Sequence, residues 1–345
     1  MQPKIPEKNK KSGVCYAVTD DGLELPVIDV TNPAFELLLS GSELNTLLQQ
    51  YRRDVRGPEK LPGFLRPLLF DFMRKRSVLM RGLMGASGTF MSGMNTYMMK
   101  LGSDNLNEGY FTSIDHRIAA SPAGSYMRLR LQDIAHLLAE ALIPVLDAQP
   151  KAAIHMLNIG GGPAIDSLNA LILIRKEGPY ALAGRQIYIH SLDLNTNGAD
   201  FGVRALASLL SESAPLHGLQ IGFQHISYNW SDPVGLRTLV KSFKSGNNIV
   251  AASSEGALFE YGIDDYITGN LRALNDVTPV DTVIVGSVTR ADDLGRMMNG
   301  AGLGSRAALQ FRGLEAFTKL VQRAGWKITK VIDRPLSHDV LMEKA

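Results

Sequence analysis

The sequence is poor in cysteine and in net charge. Its 345 residues include one cysteine, Cys15, which can form neither an internal disulfide nor a cysteine-rich zinc site. We therefore predict a reduced, cytoplasmic location and no metal site. The formal net charge is only +2, so no strong electrostatic field favours nucleic acid or a membrane surface as a partner.

Long apolar runs are also missing. A membrane-spanning helix needs about 20 nearly continuous apolar residues, whereas the most apolar stretch, residues 78–99, contains Arg81 and several Ser, Thr and Asn residues. Seven of the 13 methionines fall between Met73 and Met99. Because methionine packs adaptably, we predict that these segments form a core or a subunit interface, and hence a homodimer, with a pocket lining as the alternative.

The chain divides into two parts at about residue 125. Residues 1–125 begin with a polar tail and a β-hairpin pattern and continue with segments of helical periodicity. We predict that they form a mostly helical N-terminal cap domain that lines the substrate pocket and takes part in dimerisation. Residues 126–345 open with a helix that Pro144 is expected to end, and then alternate strand and helix patterns. This alternation predicts an α/β fold with a doubly wound, mainly parallel seven-stranded sheet.

Two features follow predicted strands, at the edge where such sheets bind ligands. Gly160, Gly161 and Gly162 follow the strand at residues 153–159, so a ligand can approach bare backbone close to a helix N-terminus. Asp193 ends the next strand, and its carboxylate can accept hydrogen bonds from both hydroxyls of a ribose. Together they predict a ligand that contains a nucleoside.

The spacing of these features bears on which nucleoside is bound. The dinucleotide fingerprint G-x-G-x-x-G would need a glycine where Ile165 stands. Asp193 lies about 30 residues beyond the glycines, rather than the roughly 20 of that fingerprint. An NAD(P)-linked oxidoreductase therefore stays open as an alternative, in a weakened form.

From Ala153 to the C-terminus the sequence resembles the class I S-adenosylmethionine-dependent methyltransferases. LNIGGGPAIDSLNAL, SLDLN and SYNWSDP are similar to the first three motifs of that family, and AASSEG to the loop after its fourth strand. The resemblance implies S-adenosylmethionine as cofactor and O- or N-methylation of a small-molecule acceptor. Asn158 and Asn229 stand where many members carry an acid, so a non-catalytic S-adenosylmethionine-binding protein is a further alternative.

The resemblance and the strand-end positions together predict the residues that bind the cofactor. They are Tyr126, Arg128, Asn158, Gly160, Gly161, Gly162, Asp193, Leu194, Asn229, Trp230, Ser253, Ser254 and Glu255. Asp193 is expected at the ribose, and Asn229 and Trp230 at the adenine. Arg128 is expected at the cofactor carboxylate, and Glu255 at its amine or at the acceptor.

Catalysis of methyl transfer depends mainly on orientation, because the nucleophile and the methyl group must be held in line. A general base helps when the acceptor is a hydroxyl. His116, in the predicted cap, and His225, near the end of the third strand of the sheet, are the candidates for that base.

Overall fold

A computed structural model describes residues 4–56, 62, 64–85, 91–243, 247–295 and 309–345. Within these ranges the N-terminal part contains a small antiparallel hairpin and five α-helices. They are β1 (Tyr16–Val18), β2 (Glu24–Pro26), α1 (Gly41–Arg56), α2 (Leu65–Arg76), α3 (Val78–Gly85), α4 (Gly93–Lys100) and α5 (Ser113–Ala119).

The rest of the chain alternates helices and strands, as its apolar patterns predict. The elements are α6 (Pro122–Ala148), β3 (Ala153–Ile159), α7 (Ile165–Glu177), β4 (Gln186–Asp193), α8 (Thr196–Leu209), β5 (Gln220–Ser227), α9 (Pro233–Lys241), β6 (Asn248–Ser254), α10 (Leu258–Tyr261), α11 (Asp264–Val277), β7 (Val283–Thr289), α12 (Gly313–Arg323), β8 (Trp326–Asp333) and β9 (Ser337–Lys344).

The large sheet has seven strands in the order β5-β4-β3-β6-β7-β9-β8. Strands β5, β4, β3, β6 and β7 are parallel, and β9 runs antiparallel to both of its neighbours. Alternate side chains of β3 enter different apolar cores: Ile154 and Met156 lie in one, and Leu157 and Ile159 in the other. The predicted doubly wound, mainly parallel seven-stranded sheet with a mostly helical N-terminal part is confirmed.

Helix α6 corrects one expectation from the sequence, because it continues past Pro144 to Ala148. The side chain of Arg185 donates hydrogen bonds to the carbonyls of Leu146, Gln149 and Ala152. These bonds anchor the C-terminal end of α6 beyond the proline, which by itself removes only the helical hydrogen bond to the Glu140 carbonyl. The predicted domain boundary after residue 125 falls within the first turns of α6 and stays a prediction.

Two strand histidines lie in the interior. His155 and His190 are stacked with ring centroids 5.4 Å apart, and Nδ1 of His155 lies 3.1 Å from Nε2 of His190. Phe243 covers the His155 ring at a centroid distance of 3.9 Å. Burial lowers the pKa of both histidines to about 4, so they are neutral core residues at pH 7.

Within the ranges that the structure describes, none of the helices combines the length and the apolar character needed to cross a lipid bilayer.

Candidate functional site

The carboxyl ends of four adjacent strands, β5, β4, β3 and β6, border a cavity of about 210 Å³. Residues Met91 and Gly93, at the start of α4, close it from the N-terminal part. The residues that line the cavity are Met91, Gly93, Gly160, Leu192, Asp193, Leu194, Asn195, Tyr228, Asn229, Trp230, Gly256, Ala257 and Tyr261.

Strand register brings the glycine turn and Asp193 together. Ile159 pairs with Leu192, and the Gly160 N–H donates to the Leu192 carbonyl at 2.7 Å. The Asp193 carboxylate accepts hydrogen bonds from the backbone N–H of Gly162, at 3.2 Å, and of Asn195, at 2.9 Å. A carboxylate offers about four acceptor positions, so Asp193 retains acceptor capacity on the side that lines the cavity.

Close backbone contacts hold helix α4 against the glycine turn. A Cβ on Gly93 would lie 2.8 Å from the Cα of Gly162, and a Cβ on Gly198 would lie 2.7 Å from that same atom. Gly162 itself has φ +53°, a left-handed conformation that glycine adopts without strain. Three glycines are therefore needed where α4, the turn and α8 meet.

Aromatic side chains form the wall beyond β5. A Cβ on Gly160 would lie 2.9 Å from the Trp230 ring, so the indole packs directly over the turn. The Tyr228 hydroxyl donates to Oδ1 of Asn270 at 2.5 Å, and Asn270 donates to the Trp230 carbonyl at 2.7 Å. The first bond fixes the Tyr228 ring and the second fixes the backbone at Trp230. Both rings offer a flat apolar surface to a ligand.

Asp193 supplies the charge of the cavity. Among its described lining residues it alone has a side chain that is charged at neutral pH. Burial raises the pKa of Tyr228 and of Tyr261 well above the ordinary value, so both phenols stay neutral. A lining with one carboxylate and no cation disfavours a phosphate-containing ligand and favours a neutral or cationic one.

A buried group of charges lies behind the β6 side of the cavity. Lys100, at the end of α4, and Arg130, on α6, both form ion pairs with Glu255, and Arg130 also pairs with Glu260. Burial alone would raise the pKa of Glu255, but the charges of Lys100 and Arg130 outweigh it and lower that pKa. Glu255 is therefore ionised and fully engaged inside the protein.

The structure brings five of the predicted cofactor residues to the cavity: Gly160, Asp193, Leu194, Asn229 and Trp230. Gly162 lies next to the cavity, where its backbone N–H donates to the Asp193 carboxylate.

Four predicted residues lie behind the lining: Asn158, Gly161, Ser253 and Ser254. The Asn158 side chain occupies the space that a Cβ on Gly161 would take, and it donates to the Ser253 hydroxyl at 3.1 Å. Ser254 is buried. Asn158 and Ser253 thus support the turn from beneath.

The remaining predicted residues lie elsewhere. Tyr126 packs edge-to-face on Tyr51, with ring centroids 6.1 Å apart, and Arg128 donates to the Phe35 carbonyl at 3.0 Å. His116 lines a separate cavity of about 520 Å³ beside the N-terminal segment. Nε2 of His225 lies 2.9 Å from the Asp193 carbonyl oxygen. Neither histidine lines the cavity at the strand ends, and their role as bases stays a prediction.

The prediction that the N-terminal cap lines the pocket did not specify which of its residues do so, and Met91 and Gly93 were missed. They belong to a methionine-rich segment whose pattern favours packing and leaves a pocket lining open. Lys100 was missed as well, because nothing in the sequence links it to Glu255, 155 residues away. The one usable signal was Ser92-Gly93, a capping residue followed by a small residue at the start of a helix.

No protein-family model and no curated protein sequence matches the chain. Among solved structures, a possible exported protein from Bordetella parapertussis is similar over 89% of this chain and 99% of its own, with 15% identity and a TM-score of 0.56. This likeness shows a shared fold.

Two methyltransferases are also similar in structure. The O-methyltransferase NcsB1 from neocarzinostatin biosynthesis, in complex with S-adenosylhomocysteine and 1,4-dihydroxy-2-naphthoic acid, matches with 18% identity over 64% of this chain, at a TM-score of 0.40. The match spans 55% of the NcsB1 chain, just over half of its length. The mitomycin 7-O-methyltransferase MmcR matches with 13% identity over 83% of this chain and 74% of its own, at a TM-score of 0.41.

Proposed function

We propose that this protein binds S-adenosylmethionine and transfers its methyl group to a small-molecule acceptor. The observation that carries the proposal is the position of Asp193, whose carboxylate is fixed at the glycine turn and lines a cavity walled by Trp230 and Tyr228. A ribose on Asp193 would place its base against the aromatic wall. This is the arrangement that the resemblance to class I methyltransferases implies.

The same geometry argues against NAD(P). A pyrophosphate needs free N–H groups at a helix N-terminus, but the Gly162 N–H is bonded to Asp193 and Pro163 has none. Helix α4 covers this position through Gly93. In addition, β9 inserts antiparallel between β7 and β8, which differs from the 3-2-1-4-5-6 order of dinucleotide-binding sheets.

The residues that line the cavity bind and orient rather than exchange protons. Asp193 holds the ribose, and Trp230 packs on the base. Bound S-adenosylmethionine supplies an activated methyl group on a sulfonium. The Gly256 backbone and the neutral Tyr261 border the cavity at β6, where an acceptor can meet that methyl group. Orientation of the two reactants accounts for most of the rate enhancement in such a site.

Calorimetry tests cofactor binding directly. S-adenosylhomocysteine should bind the wild-type protein more tightly than NAD⁺ does. Asp193→Ala should weaken that binding by about 100-fold, because it removes hydrogen bonds to a charged group worth about 1.5–3 kcal/mol each. Asp276→Ala, which removes a surface carboxylate paired with Arg237, is the matched control. Tighter binding of NAD⁺, or equal binding by Asp193→Ala and wild type, would contradict the proposal.

Turnover separates an enzyme from a binding protein. Incubation with S-adenosylmethionine and a panel of small phenols, alcohols and amines should release S-adenosylhomocysteine, measured by mass spectrometry. Cofactor binding with no release on any acceptor would support the non-catalytic alternative.

We also propose a homodimer, formed through α2. Five large apolar side chains at this helix are exposed: Phe64, Leu65, Leu68, Leu69 and Phe72. A contiguous exposed apolar patch of this kind is typical of protein interfaces. Light scattering after size exclusion should give twice the chain mass for the wild type and the chain mass for Leu68→Glu. A monomeric wild type would refute the dimer.

A cytoplasmic location is proposed on the single cysteine, which needs no oxidising compartment. Fractionation of cells that express the tagged protein tests it, and recovery from the exported fraction would contradict it.

A further inference from the structure

A chain of buried contacts connects the N-terminal part to the wall of the cavity. Lys100 pairs with one oxygen of Glu255, and Nε of Arg130 donates to the other at 2.6 Å. Arg130 also donates to Glu260 at 2.9 Å. Ser287 completes the chain: its hydroxyl donates to Glu260 at 2.8 Å and accepts from the Gly256 N–H at 2.9 Å.

These contacts determine the backbone at Gly256 from two sides. Ser287 holds its N–H, and a Cβ on Gly256 would lie 2.4 Å from Nη2 of Arg130, so the guanidinium packs directly on its Cα. Gly256 has φ +66°, the left-handed region that favours glycine. Lys100 and Glu255 expose only 4% and 5% of their side chains, and water therefore does not replace a lost partner.

The location of Gly256 decides which part of a ligand it affects. Asp193 ends β4, and Gly256 follows β6, with β3 between them. Adjacent strands are about 4.8 Å apart, so Gly256 lies about 10 Å from the ribose position. A nucleoside held at β4 and β5 reaches β6 only through the substituent on its 5′ carbon, which in S-adenosylmethionine is the methionine moiety.

We propose that Lys100 is a positioning residue for the methionine moiety of the cofactor, acting through Glu255, Arg130 and Ser287 on the Gly256 backbone. This inference rests on the proposed function. Helix α4 then fixes the site at both of its ends, with Gly93 on the glycine turn beneath the ribose and Lys100 behind the wall at β6.

The test compares two ligands that differ only in the methionine moiety, S-adenosylhomocysteine and adenosine, by calorimetry. Lys100→Met should weaken S-adenosylhomocysteine by about tenfold, the effect of about one lost hydrogen bond, and leave adenosine unchanged. Lys100→Arg, which keeps the charge, should restore most of the loss. Lys330→Met, which breaks the exposed pair with Glu140, is the matched control and should change neither affinity.

Different results overturn the two proposals. Wild-type protein that binds neither ligand would refute the proposed function. Wild-type binding with an unchanged S-adenosylhomocysteine affinity in Lys100→Met, or with equal losses for both ligands, would refute the positioning role. If Lys100→Met does not fold, Ser287→Ala provides the test, because it removes the hydrogen bond to Gly256 without leaving a buried charge unpaired. A selective loss of affinity for S-adenosylhomocysteine supports the inference. Unchanged affinity overturns it.

Discussion

Substitution of Gly93 tests whether helix α4 is part of the ligand site. A methyl group at this position would lie 2.8 Å from the Cα of Gly162 and 3.3 Å from Cδ of Pro163, and neither backbone nor ring can move aside on its own. Overpacking of this kind costs about 1–3 kcal/mol, and the helix propensity of alanine offsets at most about 1 kcal/mol. Gly93→Ala should therefore lower the free energy of unfolding by about 1–2 kcal/mol and weaken S-adenosylhomocysteine binding.

Gly41→Ala is a close control, because Gly41 also begins a helix and a Cβ there would meet nothing within 4 Å. It should leave stability equal or slightly raised and ligand affinity unchanged. Urea unfolding and calorimetry on the two variants measure both quantities. If Gly93→Ala matched Gly41→Ala in stability and in affinity, α4 would not pack on the glycine turn.

Three other perturbations have defined outcomes. Acid should destabilise the protein through His155 and His190. Burial lowers both pKa values to about 4 from the ordinary 6.5, so below pH 6.5 these histidines bind protons in the unfolded chain before they do so in the folded chain. The free energy of unfolding should fall by about 1 kcal/mol for each histidine between pH 7 and pH 5.5. In urea titrations His155→Phe should roughly halve this fall, and the exposed His217→Asn should leave it unchanged. An unchanged pH dependence of stability in His155→Phe would refute this origin. Arg185→Met should cost about 2 kcal/mol in urea unfolding, since it removes hydrogen bonds from a charged donor to three carbonyls at and after the end of α6, and a loss below about 1 kcal/mol would contradict that role. Gly256→Ala should cost about 2–4 kcal/mol, because it adds left-handed strain to a clash with a buried guanidinium, and an unchanged melting midpoint would contradict it.

The sheet could be predicted from the sequence because its strands are short apolar runs between turn residues. The apolar run at 153–159 and the mixed, β-branched pattern at 326–333 agree with the strand bounds in the structure. The end of α6 could not be predicted, because the helix continues past Pro144 and its end is anchored by a distant side chain, Arg185, that no local pattern indicates.

The part of the site on the sheet was also predictable, because parallel strands bring their carboxyl ends to one edge. Gly160 and Asp193 follow from that rule, and Trp230 follows from the resemblance to the third motif of class I methyltransferases. The role of Glu255 could not be predicted, because the partners of its two carboxylate oxygens come from α4 and α6. No periodicity in the sequence specifies which cation lies opposite a carboxylate.

The two ends of α4 give the N-terminal part a direct influence on the proposed cofactor site. Gly93 contacts the turn that carries the Asp193 hydrogen bond, and Lys100 belongs to the charge group that holds Gly256. A rigid helix with both ends on the ligand-binding edge cannot shift without changing that edge. An acceptor that binds the N-terminal part and displaces α4 would therefore change cofactor affinity, and by linkage the cofactor would change acceptor affinity by the same factor. Lys100→Met should weaken this coupling between the two ligands, because it detaches one end of the helix.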